Sequence, residues 1–145
     1  MRGGAGREPG LESFGREHLD EAIELFAAEG WETYTDDPER TFRALTAPGC
    51  TALVAVDDGT VAGLVQIQSD GEIQAHLSLL LVGAQWRGRG LGRTLLREAL
   101  GRAGGMRLDL LTRAGEYYVA LGAEAVPGFR LRPENLESFG AAGAA

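Results

Sequence analysis

The chain holds one cysteine, Cys50, among its 145 residues. A single thiol closes no internal disulfide, so the fold must rest on its apolar core, and the composition suits a reducing cytosol. No His-Asn or His-Asp pattern accompanies Cys50 to make it a nucleophile; a small buried or loop residue accounts for it. Long apolar runs are also missing. No stretch approaches the roughly 20 residues that span a bilayer. Residues 1–10 are polar and glycine-rich and lack the apolar centre of a secretory signal. A cytoplasmic protein with no membrane partner is expected. Positive charge is scarce: 14 Lys and Arg against 21 Asp and Glu give a net charge of −7. Nucleic acid is therefore not expected as a partner, because phosphate-backbone binding needs a cationic face. A cationic acceptor such as an amine is compatible with this charge, and solubility alone accounts for it equally well.

The length suits one domain able to bury its core without a metal. Residues 1–10 and 140–145 read as disordered tails around a domain at 11–139. Leu11 to Phe14 suits a short first strand. His18 to Glu29 shows helical spacing through Leu19, Ile23, Phe26 and Ala27, with Gly30 ending it and His18 read as a surface helix residue. Trp31 to Asp36 reads as a loop of aromatic and acidic residues. Asp37-Pro38 opens a second helix as N-cap and first helical position, reaching about Leu45.

Thr51 to Val56 and Val61 to Ile67 are β-branched runs joined by Asp57-Asp58-Gly59-Thr60, a hairpin signal. Ile73 to Val82 is a long strand ending in Leu79-Leu80-Leu81-Val82, apolar on both faces and so central. Leu91 to Ala103 is helical, with Leu91, Leu95 and Ala99 on one face. Met106 to Leu111 is a strand and Gly115 to Leu121 a helix. Glu124 to Arg132 is a weaker last strand, interrupted by Pro127-Gly128. A meander passing into a β-α-β unit predicts an α/β fold: a mixed central sheet of six to seven strands with helices on both faces.

Chemistry concentrates in Arg87-Gly88-Arg89-Gly90-Leu91-Gly92-Arg93. Glycine at every second position lets a ligand approach the backbone without meeting a Cβ. The helix that starts there offers free amides and its positive dipole end to an anion. Arg87, Arg89 and Arg93 add cations, so a diphosphate is the natural guest. A P-loop would need Gly-Lys-Ser/Thr, and here Arg93-Thr94 follows Gly92. A dinucleotide fingerprint needs its third glycine one residue later, although Asp109 would serve as a ribose-binding acid. A glycine-rich helix start without a ligand is the remaining alternative.

Leu80-Leu81-Val82 followed after four residues by Arg87-Gly88-Arg89-Gly90-Leu91-Gly92 resembles the acetyl-coenzyme A segment of the GNAT N-acetyltransferases, with core Arg/Gln-x-x-Gly-x-Gly/Ala. Arg87, Gly90 and Gly92 occupy its defining positions. Tyr117-Tyr118-Val119-Ala120-Leu121-Gly122-Ala123 is similar to the family's Phe-Tyr-x-x-Leu-Gly-Phe block, with Ala123 replacing the final aromatic. The order of elements over 11–131 agrees as well.

The resemblance implies an acyltransferase that moves the acetyl group of acetyl-coenzyme A to an amine of a small molecule or peptide, by direct attack in a ternary complex. It implies that pantetheine pairs with the backbone of Leu80, Leu81 and Val82, and that the diphosphate lies on the amides of Arg87 to Arg93. It implies Tyr118 as the acid that protonates the departing thiolate; a tyrosine that only packs or hydrogen-bonds the coenzyme sulfur is the alternative. His76, six residues before Val82, lies at a position similar to a family base, and histidine is a side-chain type suited to that task; a structural strand histidine is the alternative. Glu72 is a weaker candidate for the base. Ser78 would share the face of His76. Trp31, Glu32 and Tyr34 lie where relatives close over the acceptor, with aromatic faces and charge suited to a cation; an ordinary interhelix loop is the alternative. Glu29, Asp36 and Asp37 add negative charge there. No metal is implied, and a monomer or a homodimer would be compatible. A non-catalytic acyl-coenzyme A-binding module is the alternative of a different class.

Overall fold

The computed structural model describes residues 7–136. The expected tails at 1–6 and 140–145, and the last residues of the expected domain, 137–139, lie outside them. The chain forms two compact units, one ending at Leu110 and the other beginning at Leu111.

In the first unit, strands β1 (Gly10–Ser13), β2 (Cys50–Asp57), β3 (Thr60–Ser69), β4 (Gln74–Val82) and β5 (Arg107–Asp109) form one sheet in the order β1-β2-β3-β4-β5. The first four pair antiparallel and β5 joins β4 in parallel, so the sheet is mixed. The β2–β3 turn closes on Asp57 and Thr60, with Asp58 at φ 48° and Gly59 at φ 80°. Positive φ at both central residues is what a tight two-residue hairpin requires.

Helices cover both faces. Helix α1 (Leu19–Ala28) buries Leu19, Ala22 and Phe26 in a core with Val54, Leu64, Leu79 and Leu81. Helix α4 (Leu91–Ala103) buries Leu91, Leu95 and Ala99 on the opposite face, where a Cβ on Gly63 would meet Leu91 and Leu95. Leu64 and Gly63 are adjacent on β3, so strand alternation sends them to the two layers. Helices α2 (Glu32–Thr35) and α3 (Pro38–Leu45) follow α1. Asp37 caps α3 by accepting the Arg40 amide at 3.1 Å, with Pro38 at the helix start. The Gln66 side chain donates to the Ala44 carbonyl at 2.8 Å, fixing the end of α3 against β3.

Several sequence expectations change. The sheet has five strands among the described residues, not six to seven. In the second unit, 123–132 contain no strand, and Val126, Phe129 and Leu131 are exposed. Pro127 has no amide to donate to a ladder, and the run has no continuous apolar face to bury. Residues 133–136 are helical. The expected Trp31–Asp36 loop contains α2, whose Tyr34 ring stacks on Phe26 with centroids 4.7 Å apart.

His18 is buried, not a surface residue. It ends a 3-10 turn, Arg16–His18, ahead of α1. Its Nδ1 accepts the Gly15 amide at 2.9 Å, and its Nε2 lies 2.5 Å from Glu12. Because Nδ1 accepts, the proton sits on Nε2 and is donated to Glu12. Glu12, Glu17 and His18 are close enough to surround an ion. The ring, however, has no lone pair left over for one.

Candidate active site

The site develops from three features of the first unit. One is a β-bulge. Gln66 pairs with Leu79 and Ile67 with Leu77, so Ser78 is the extra residue on β4. A bulge interrupts the two-residue alternation. As a result His76, which pairs with Gln68, faces the same layer as Leu79 and Leu81 although its number has the opposite parity. Gln68 donates to the Ser78 hydroxyl at 2.7 Å. His76, Gln68 and Ser78 therefore share one polar, open stretch beyond the apolar part of that face. On the other side His76 pairs with Asp109 of β5, so Gln68, His76 and Asp109 form one row across the sheet.

The second feature is a splay. The β4–β5 ladder consists of Gln74–Arg107, Ala75–Leu108 and His76–Asp109. Among the described residues, β4 has no strand partner on that side from Leu77 to Val82. An unpaired strand edge offers amides and carbonyls to an extended polar chain. Leu81 points into the core, while Leu80 and Val82 are half-buried, so a ligand would meet this strand end chiefly through its backbone.

The third is the turn into α4. Gly83 donates to the Ala62 carbonyl at 2.8 Å, and a 3-10 turn, Ala84–Trp86, follows. Gly88 and Gly90 have φ of 76° and 79°, and nothing lies within 4 Å of where a Cβ would stand on either. This is an open cradle of the kind an anion needs. Gly90 caps α4 without a side-chain hydrogen bond, which leaves the first-turn amides to a ligand. Arg89 and Arg93 are exposed, Leu91 and Gly92 buried. Arg87 behaves differently from the other two cations. Its Nε donates to the Val82 carbonyl at 2.9 Å, and its Nη2 pairs with Glu29.

Sequence reading missed Trp86. Its indole nitrogen donates to Asp57 at 3.1 Å, and its ring lies so close to Gly83 that a Cβ there would stand 2.8 Å from it. The aromatic just before the glycine run was the available signal. Trp86 stands in the wall of a cleft of about 470 Å³ that Leu25, Glu29, Leu81, Val82 and Arg87 also line.

Trp31 and Tyr34 are half-buried and pack with each other and with Phe26. Their first duty is to the core; Glu32 is exposed beside them. Glu72 lies in the exposed turn before β4, where its amide donates to Asp70 at 2.8 Å. In the second unit, Tyr118 lies on helix α5 (Gly115–Ala120), half-buried, with Tyr117 edge-on at 5.1 Å. Burial, and then the neighbouring Tyr117, raise its phenol pKa above the ordinary value near 10.

These features define an α/β fold with an open glycine-rich turn beside a splayed sheet. The acetyltransferase (GNAT) family model matches residues 15–122. The chain belongs to the GNAT family of acetyltransferases, a family of acetyl-coenzyme A-dependent transferases. A proposed acetyltransferase from Deinococcus radiodurans R1 is 29% identical, with a TM-score of 0.68, over 93% of this chain and 94% of that one. A GNAT-family acetyltransferase from Streptococcus pneumoniae TIGR4 shares the fold at 21% identity and TM-score 0.68, over 86% of this chain and 96% of that one. An aminoglycoside 6'-N-acetyltransferase solved with coenzyme A shares it at 21% identity and TM-score 0.60, over 70% of this chain and 60% of that one. No curated protein sequence matches the chain. Among the described residues, no helix is long and apolar enough to cross a membrane.

Proposed function

We propose that the chain transfers the acetyl group of acetyl-coenzyme A to an amine by direct attack. The observation that carries this reading is the adjacency of the β4 edge, unpaired beyond His76, to the open, uncapped start of α4. In this reading the pantetheine chain pairs with Leu80 to Val82. The diphosphate rests on the amides of Gly88 to Arg93, with Arg89 and Arg93 supplying charge. Charge-assisted bonds of this kind contribute roughly 1.5–3 kcal/mol each.

The amine nitrogen attacks the thioester carbonyl; a C–N bond forms and the C–S bond breaks. The departing thiolate takes the Tyr118 proton, and the proton lost by the amine passes to His76, directly or through water held near Ser78. A strand-end amide near Leu81 would stabilise the tetrahedral oxyanion. Tyr118 is protonated at neutral pH, and its pKa lies above 10. Transfer to a thiolate of pKa about 8.5 is then uphill by at least about 2 kcal/mol, small beside the barrier of acyl transfer. The exposed position of His76 keeps it open to an incoming amine, and Glu32, Trp31 and Tyr34 are the proposed acceptor contacts. The protein would act in the cytoplasm.

Thiol release from acetyl-coenzyme A, measured with a panel of primary amines for wild type, Tyr118→Phe and His76→Gln, tests this. Turnover that falls at least about 100-fold in Tyr118→Phe is the expected result. Coenzyme binding without turnover on any amine would instead favour a binding module.

A further inference from the structure

We infer that Arg87 and Glu29 form a latch through which the coenzyme turn and the acceptor segment respond to each other, so that Arg87 acts as a positioning residue. This rests on the coenzyme reading of the glycine-rich turn. Arg87 is the first cation of that turn, yet its guanidinium is committed to the protein: one nitrogen to the Val82 carbonyl, another to the Glu29 carboxylate. A planar guanidinium holds two acceptors in a fixed relation. Arg87 thus sets the separation between the end of β4 and the end of α1.

What lies beyond Glu29 gives the link its reach. Glu29 is the C-cap of α1, and its amide donates to the Leu25 and Phe26 carbonyls at 3.2 Å each. Gly30 turns the chain at φ 74°, and the Trp31 amide returns to the Phe26 carbonyl at 3.0 Å. Trp31 and Tyr34 both pack on the Phe26 ring. A shift of Glu29 is therefore carried through two residues into the aromatic pair proposed to meet the acceptor. Arg87 and Glu29 also line one cleft with Val82 and Trp86, so a chain laid along the β4 end lies beside the latch.

The pair is a poor stability device. Its side chains are 54% and 34% exposed, and such surface pairs contribute little to folding. It is suited to positioning instead, because a weak, partly solvated bond is readily shifted by a ligand at one end. Coupling is reciprocal: if coenzyme moves the acceptor segment, acceptor alters coenzyme affinity by the same factor, here expected at about fivefold.

The test labels the full chain with 5-fluorotryptophan and titrates coenzyme A by fluorine NMR, with calorimetry in parallel. Trp31 and Trp86 are the two tryptophans, and Trp31→Phe assigns the signals. In wild type, coenzyme A should shift both resonances. In Glu29→Gln and in Arg87→Lys, the Trp86 signal should still shift, the Trp31 signal should stay put, and coenzyme affinity should fall by no more than about fivefold. A lysine cannot hold the carbonyl and the carboxylate together, so Arg87→Lys tests the link with the charge kept. A Trp31 shift that persists in either variant overturns the latch, as does a silent Trp31 in wild type that binds coenzyme A calorimetrically. No coenzyme A binding by wild type overturns the coenzyme reading and the latch with it.

Discussion

Gly63→Ala should destabilise this protein, although glycine-to-alanine changes in strands usually help. Gly63 lies in β3 facing α4, and its φ is not positive, so backbone strain plays no part. Removing a glycine from the unfolded chain would by itself stabilise by about 0.4–1 kcal/mol. Against that, the new Cβ would stand 2.9 Å from the Leu81 carbonyl oxygen and 2.9 Å from Leu95 Cδ1. The leucine end can turn aside. The carbonyl cannot, because the β3–β4 ladder, with Leu81 opposite Leu64, holds that strand in place. Overpacking of this kind costs about 1–3 kcal/mol, which leaves a net loss of about 1–2 kcal/mol. For a chain of this length that is a fall in Tm of roughly 3–8 °C.

Gly101→Ala is the matched control. It lies in the exposed part of α4, with nothing within 4 Å of its Cβ position, and should stabilise by about 0.5–1 kcal/mol. Thermal and urea unfolding followed by circular dichroism would report both. Equal or raised Tm in Gly63→Ala would refute the argument that a close approach at Gly63 seats α4. Since α4 follows the turn proposed to hold the diphosphate, Gly63→Ala should also weaken coenzyme A binding, while Gly101→Ala should leave it unchanged.

Three further outcomes are expected. If protonated Tyr118 is the acid, kcat should be full below its raised pKa and fall as pH climbs through it, above 10; Tyr118→Phe should lack that alkaline limb, and a pH–rate profile compares them. The Ile73, Glu72 and Gln74 amides hold the Asp70 carboxyl below its ordinary pKa. Its contribution to stability is therefore present above about 3.9 and lost as pH falls through the depressed value, so acid unfolding of Asp70→Ala should show a weaker pH dependence below pH 4 than wild type. Asp37→Ala removes the acceptor of the Arg40 amide and should cost about 1 kcal/mol in urea unfolding.

Local chemistry was legible in the sequence. Helix α3 starts at Pro38 behind an Asp37 cap, the Asp58-Gly59 pair makes the tight hairpin, and Leu91, Leu95 and Ala99 form the buried stripe of α4. Each depends on residues within about eight positions of one another, and so does the glycine-rich turn that carries the family resemblance. Tertiary structure decided matters of register and partnership. The bulge at Ser78 sets which layer His76 faces, and no alternation pattern announces it. The β4–β5 ladder stops at Asp109, which opens the edge of β4 to a ligand. His18 became a buried acceptor because Gly15 and Glu12 close around it, and Arg87, expected to face a diphosphate, pairs with a carboxylate 58 residues away. Short-range spacing specifies helices, turns and caps through local sterics and hydrogen bonds; which strand edge stays open and which charge finds which partner depends on contacts the chain makes only once it is folded.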